Sequence, residues 1–263
     1  MKRTLLAAIS ALLYLFLYAP IAVVVVFSFN AARHGSVWRG FTWSWYDKLF
    51  HDPLVWAASK NTLILALVST LIATVLGAML GVGLNRYWFP GKRMFQWFLY
   101  LPVVIPDVVM AVAMMLFYGL IRDATGLFEL GMTTMIVAHV TFQIPFVALV
   151  VRSRLIGLDP ALEEAAQDLG ASPWRTFWHI TFPLITPGIL AGGMLAFTLS
   201  LDDFVVSFFT TGPGATTLPI LIYSSVKRGI TPDINALSTM MILVSMIATI
   251  LVTLLERSRK TVT

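Results

Sequence analysis

The sequence predicts an all-α membrane protein with about six transmembrane helices, and three observations carry that prediction. Of its 263 residues, 58% are hydrophobic and 12% charged, against about a quarter charged in soluble domains. The apolar residues fall in blocks of about 20 or more, long enough to cross a bilayer, instead of alternating with polar ones. Lys and Arg gather at the ends of those blocks, where they anchor and orient helices. The same placement accounts for the net charge of +5 without a nucleic-acid partner. Cysteine is absent, which removes disulfides, thiolate metal sites and thiol catalysis. A single membrane domain over residues 1–263 is expected, surrounded by membrane lipid and without a cofactor or metal.

The first block runs from Leu5 to Phe29. Met1-Lys2-Arg3 ahead of it imitates a secretory signal. The apolar run is longer than a signal core, however, and no small-residue cleavage site closes it, so a retained helix is expected. The second block, Thr62 to Leu84, carries Ala66, Thr70, Ala73, Gly77 and Gly81 at intervals of three or four. That stripe predicts close helix packing, with a substrate-facing groove as the alternative. The third (Gln96 to Leu120), fourth (Met132 to Val151) and fifth (Leu184 to Phe209) contain Pro, Asp, His or Gln and so need a bundle interior or a wet cavity. The sixth runs from Ala236 to Leu255. His139 and Gln143, four apart on one face of the fourth, predict interhelical hydrogen bonds; a metal site or proton relay would need more ligands.

Charge asymmetry between alternate loops sets the orientation. One side holds Lys2, Arg3, Arg86, Lys92, Arg93, Arg152, Arg154, Arg175, Arg257, Arg259 and Lys260, which leaves seven of the 18 basic residues for the other, including Arg33, Arg39, Lys48 and Lys60. The positive-inside rule then places both termini, and the loop from about Arg152 to Pro183, in the cytoplasm.

That loop is punctuated. Asp159-Pro160 reads as a helix start, Glu163 and Glu164 suit a first turn, and Gly170 supplies a stop. Ser172-Pro173 repeats the start signal, and Pro183 is expected to end that second short helix where the fifth span begins. On the first short helix, Leu162, Ala165, Ala166 and Leu169 form an apolar stripe, with Glu163, Glu164, Gln167 and Asp168 elsewhere. This suits docking into a groove on a partner, since a helix lying on a membrane surface prefers Lys and Arg on its polar face.

The chain carries no phosphate-cradling loop: its only Gly-Lys, Gly91-Lys92, continues with Arg93 and lacks the upstream glycine. No nucleotide site of that kind is expected in this chain.

Ionisable groups within spans cost about 2.5 to 3.5 kcal/mol each on insertion scales, so Asp107, Asp202 and Asp203 call for a reason. On an ideal helix Asp107 lies roughly 16 Å beyond Gln96, and the Asp202-Asp203 pair roughly 27 Å beyond Leu184. Carboxylates at staggered depths offer successive stops to a cation and repel anions. The opposing readings are that one Asp of the pair caps a helix break, and that Asp107 satisfies donors freed by Pro102 and Pro106. The first external loop holds Trp38, Phe41, Trp43, Trp45, Tyr46, Phe50 and Trp56. These suit a membrane interface, and Trp45 and Tyr46 are the candidates for contact with substrate or a binding protein.

Glu164-Ala165-Ala166, then Gly170, then Ile180 ahead of Pro183 and Leu184 resemble the EAA loop of ABC importer permeases. The resemblance implies a type I ABC importer permease fold in which Glu163, Glu164, Ala165, Ala166, Asp168, Leu169 and Gly170 form the coupling helix. Its implied partners are two ATPase subunits, a second and non-identical permease, and a periplasmic substrate-binding protein, at a bacterial inner membrane. Tyr18-Ala19-Pro20, Ser28-Phe29-Asn30, Pro106-Asp107, the run from Phe197 to Asp203, and Gly212-Pro213-Gly214 through Leu218-Pro219 resemble the spermidine/putrescine permease subfamily. A polyamine is then the implied cargo. The alternatives are another small solute, such as an anion or metal chelate, an ion-driven carrier, or an intramembrane enzyme; no internal inverted repeat or catalytic constellation supports the last two.

Overall fold

The computed structural model describes residues 2–32, 37–229 and 231–260, with side chains described for all of these except 2, 248 and 251–260. Arg33 lies outside the described residues, and the side chains of Arg257, Arg259 and Lys260 lie outside them too. The helices are α1 (Lys2–Phe27), α2 (Ser44–Phe50), α3 (Pro53–Arg86), α4 (Lys92–Val104), α5 (Asp107–Thr125), α6 (Met132–Ile156), α7 (Ala161–Asp168), α8 (Pro173–Thr176), α9 (Phe182–Leu201), α10 (Val205–Thr210), α11 (Leu218–Arg228) and α12 (Pro232–Lys260). A π-helical turn, Phe177–Thr181, joins α8 to α9.

Five helical stretches among the described residues are long and apolar enough to cross a membrane: Arg3–Phe27, Pro53–Arg86, Asp107–Thr125, Met132–Ile156 and Pro173–Leu201. The sixth expected block falls within α12, in which the described apolar stretch is Pro232–Ile247. Lipid suits the outer faces: Leu71 is 68% exposed and Met79 66%, side chains that water would not tolerate in such number.

The chain divides into two compact units. The first comprises residues 1–59 and 218–248, and its core is Leu49, Val55, Ala236 and Leu237, with Trp45, Tyr46 and Leu218 packed on it. Lys48 and Asp233 pair at 3.4 Å within it. The second comprises residues 60–217 and 249–263 and is built around α6, which packs chiefly against α9. Val147, Val151, Leu155, Ile185 and Ala196 form the seam between those two helices.

Small residues set the spacing in the second unit. A Cβ at Gly77 would stand 2.6 Å from Cβ of Val147, and one at Gly81 would stand 2.8 Å from the Ala148 carbonyl oxygen. The α3 stripe is thus a packing face against α6, where close backbone approach replaces the hydrophobic drive that lipid removes. Gly192 and Gly193 of α9 do the same against Val147 and Thr74.

Two expected spans are not single helices. Gln96 to Leu120 is divided between α4 and α5, because Ile105 and Pro106 are extended at ψ 133 and 134. A residue before proline is pushed out of the α region, and Pro106 has no N–H to continue α4. The ideal-helix depth for Asp107 therefore does not apply. Leu184 to Phe209 is divided at Asp202, with α10 as a separate short helix.

Candidate translocation and coupling sites

The break between α9 and α10 is where buried polar chemistry collects. Asp203 caps α10: its Oδ2 accepts from the Ser207 amide at 2.8 Å and its Oδ1 from the Val206 amide at 3.3 Å. That is the capping alternative for one member of the pair. His139 of α6 approaches the same carboxylate, with Nε2 3.3 Å from Oδ2 and 3.0 Å from Ser207 Oγ. Its Nδ1 lies 2.8 Å from Ser200 Oγ, which lies 3.3 Å from Ser69 Oγ on α3. Gln143 Nε2 donates to Ser69 Oγ at 3.2 Å.

A carboxylate only accepts, so the proton in the contact between His139 and Asp203 is carried on Nε2. Ser69 Oγ accepts from Gln143 and donates to the Ala66 carbonyl at 3.5 Å. His139 and Gln143 thus bond between helices, as their spacing predicts. Ser69, Ser200 and Ser207 were not foreseen; serine within an apolar span is the signal that points to them. At the far end, Gln143 Oε1 is buried without a partner, as are the hydroxyls of Thr70 and Thr74.

Asp202 ends α9 and is exposed, while Asp203 is partly buried and occupied by its donors. Asp107 is the first residue of α5 and is exposed; the positive end of that helix favours its charge. Ala111, one turn on, packs in a cluster with Val206 of α10, so the two broken spans lie against each other. Among the described residues, no group of three or more His, Asp or Glu is placed to hold a metal ion.

In the aromatic segment that follows α1, Trp45 Nε1 donates to the Asn30 carbonyl at 2.8 Å, and the Tyr46 hydroxyl lies 2.7 Å from Ser28 Oγ. Asn30 in turn orders the chain, donating to the Val37 carbonyl and accepting from the Ala32 and Arg39 amides. The ammonium of Lys48 stands 5.7 Å from the centre of a Trp45 ring.

The loop from about Arg152 to Pro183 folds as its punctuation predicts, with one exception. Asp159 Oδ1 accepts from the Ala161 amide at 3.0 Å and starts α7. Gly170, at φ +85, ends it in a Schellman motif: the Ala171 amide reaches the Ala166 carbonyl and the Gly170 amide the Gln167 carbonyl. Glu164, Ala165, Asp168 and Leu169 are exposed, and Ala166 is half-buried. Ser172 Oγ accepts from the Arg175 amide and starts α8. Pro183 does not stop this helix. A π turn just before it absorbs the missing donor, so α8, the turn and α9 run as one 29-residue span, Pro173–Leu201. Glu163 is the member of α7 that turns inward, accepting from Arg86 at the end of α3 and from Thr181 Oγ1 at 2.5 Å.

Residues 73–260 match the family described as binding-protein-dependent transport system inner membrane component. The chain belongs to this family. As a permease of that family it is a transport subunit and an inner-membrane component, nearly all helical among its described residues. It is 43% identical over 231 residues to the putrescine transport system permease protein PotI of Escherichia coli (strain K12), covering 87% of this chain and 82% of that protein. It is 39% identical over 257 residues to the spermidine/putrescine transport system permease protein PotC of the same strain, covering 98% of this chain and 96% of that protein. The permease fold resembles a chain of a bacterial ABC transporter involved in the import of alginate, with TM-score 0.78, 20% identity and 98% and 96% of the two chains covered. A chain of the MetNI methionine ABC transporter matches with TM-score 0.66 at 21% identity, covering 79% of this chain and 98% of that one.

Proposed function

We propose that this permease carries polyamines inward as one half of an ATP-driven importer. The observation that carries the cargo is its likeness to PotI and PotC over nearly the whole chain, at 43% and 39% identity. The chemistry agrees. Asp107 and Asp202 stand exposed at the breaks of two neighbouring spans, where unwound backbone and carboxylates together replace the hydration of an ammonium group. Asp203, capping α10, holds the break in shape and adds negative charge beside Asp202. An anion would meet repulsion at the same positions.

Both units serve a single permease domain, with both termini and the loop of α7 in the cytoplasm. An external binding protein delivers the cargo, a second and non-identical permease completes the path, and two ATPase subunits drive the complex, one of them docking on α7 through Leu162, Ala165, Ala166 and Leu169, with Glu164 and Asp168 on the rim. Trp45 and Tyr46 meet the binding protein or the arriving cargo. The Lys48 ammonium beside the Trp45 ring marks the kind of group that face accepts.

The test is uptake of labelled putrescine by proteoliposomes containing the whole complex. Asp107→Asn and Asp202→Asn should each lower uptake about tenfold or more while the subunits still co-purify, a loss equal to one good charge interaction of about 1.4 kcal/mol. Uptake unchanged in both variants would defeat the carboxylate path. A loaded phosphonate-binding protein that stimulates ATP hydrolysis better than a polyamine-loaded one would defeat the cargo.

A further inference from the structure

Arg86 closes α3, and its guanidinium stands where three elements of the second unit meet. One nitrogen, Nη2, donates to Glu163 Oε1 on α7 and, at 2.8 Å, to Thr181 Oγ1. Thr181 donates to that same Glu163 oxygen. The guanidinium carbon also lies 5.6 Å from the centre of the Phe177 ring. Phe177 and Thr181 are the two ends of the π turn, so Arg86 and Glu163 together bracket it. Both charged side chains are largely sheltered, at 26% and 32% exposure, although α7 otherwise buries no residue.

We propose that Arg86 is a positioning residue for coupling: through Glu163 it makes α7, α3 and the root of α9 move as one piece. This rests on the reading that α7 docks an ATPase subunit. The helix is eight residues long and held at its ends by turns, so a push on it is lost in those turns unless a side chain carries it further. Glu163 is that side chain. Arg86 passes the displacement to α3, which packs on α6, and Thr181 passes it to the π turn below α9. A wide turn with poor hydrogen-bond geometry is the compliant point of an otherwise continuous 29-residue helix, and such turns recur at functional sites. The planar guanidinium suits the task because it holds two acceptors and a ring face in fixed geometry, which an ammonium does not.

The experiment uses the full complex in proteoliposomes and measures ATP hydrolysis with and without putrescine-loaded binding protein. Arg86→Gln and Glu163→Gln should each lower the stimulated-to-basal ratio about fivefold or more, the low end of a typical coupling free energy, with ATPase subunits still bound. The exchange Arg86→Glu with Glu163→Arg should regain at least half of that ratio. Ratios unchanged in both single variants, or an assembled exchange variant no better than they are, would overturn the proposal. Should the single variants not assemble, the exchange variant decides alone: stimulation supports the link, and its absence overturns it. An unaltered complex from which the ATPase subunits do not co-purify would overturn the ATPase-docking reading and this inference with it, whereas full stimulation in both the unaltered complex and the single variants overturns the inference alone.

Discussion

Nε2 of His139 lies 3.3 Å from Oδ2 of Asp203, which ties the middle of the long helix α6 to the break that follows α9. His139 is 2% exposed, so this contact forms where water is excluded and each partner depends on the other. His139→Ala leaves the Asp203 carboxylate with donors from Val206 and Ser207 alone. A hydrogen bond to a charged group is worth about 1.5–3 kcal/mol, so the detergent-solubilised protein should melt markedly lower. Ser200→Ala removes its hydrogen bonds to His139 and Ser69, at about 1 kcal/mol each. Equal melting temperatures for the wild type and His139→Ala would refute the network.

The glycine contacts give a graded series. Gly77→Ala drives a methyl into Val147 and the Ile144 carbonyl, and overpacking of this kind costs about 1–3 kcal/mol. Gly212→Ala is more severe, because its Cβ would stand 1.8 Å from the Leu130 carbonyl oxygen, and backbone cannot step aside cheaply. Gly119 has open space around it, so Gly119→Ala should be neutral or stabilise by up to about 1 kcal/mol. Thermal melting should rank Gly212→Ala as most destabilised, then Gly77→Ala, then Gly119→Ala; a Gly119 variant as damaged as the other two would contradict the packing.

Leu169 is 90% exposed at the end of α7. Leu169→Asp should therefore change stability by no more than about 0.5 kcal/mol. The same change puts a charge on the proposed docking stripe, and co-purification of the ATPase subunits should fall steeply. Full retention of those subunits by a stably folded variant would exclude the stripe as the docking face.

Gly170 separates shape from contact. A Cβ there meets nothing within 4 Å, so Gly170→Ala is penalised only by its φ of +85. A left-handed non-glycine residue costs about 1–2 kcal/mol, enough to unwind the end of an eight-residue helix. Faster amide exchange over residues 161–171 is the expected signature, with Gly170→Asn less affected. Unaltered exchange would show that the Schellman motif is not what ends α7.

The membrane class, the packing stripe of α3 and the punctuation of α7 were all legible before any coordinates. They follow from local rules: apolar length, small residues at helical spacing, and residues whose side chains or φ angles start and stop a helix. The EAA-type run from Glu164 to Gly170 was equally plain, because a motif of that kind lies within one stretch of chain. What only the tertiary structure decided are the relations between stretches. Pro106 and Pro183 are both prolines in apolar blocks, yet one divides a span and the other is carried through on a π turn, since neighbouring elements determine whether the freed backbone groups find partners. Asp202 and Asp203 are adjacent and indistinguishable in sequence; His139, 64 residues away, engages the second and leaves the first exposed. Arg86 read as one more basic residue at the end of a span until Glu163 and Thr181 were found against it. A hydrogen bond between distant residues leaves no periodic trace in a chain, and folding alone brings its two ends together.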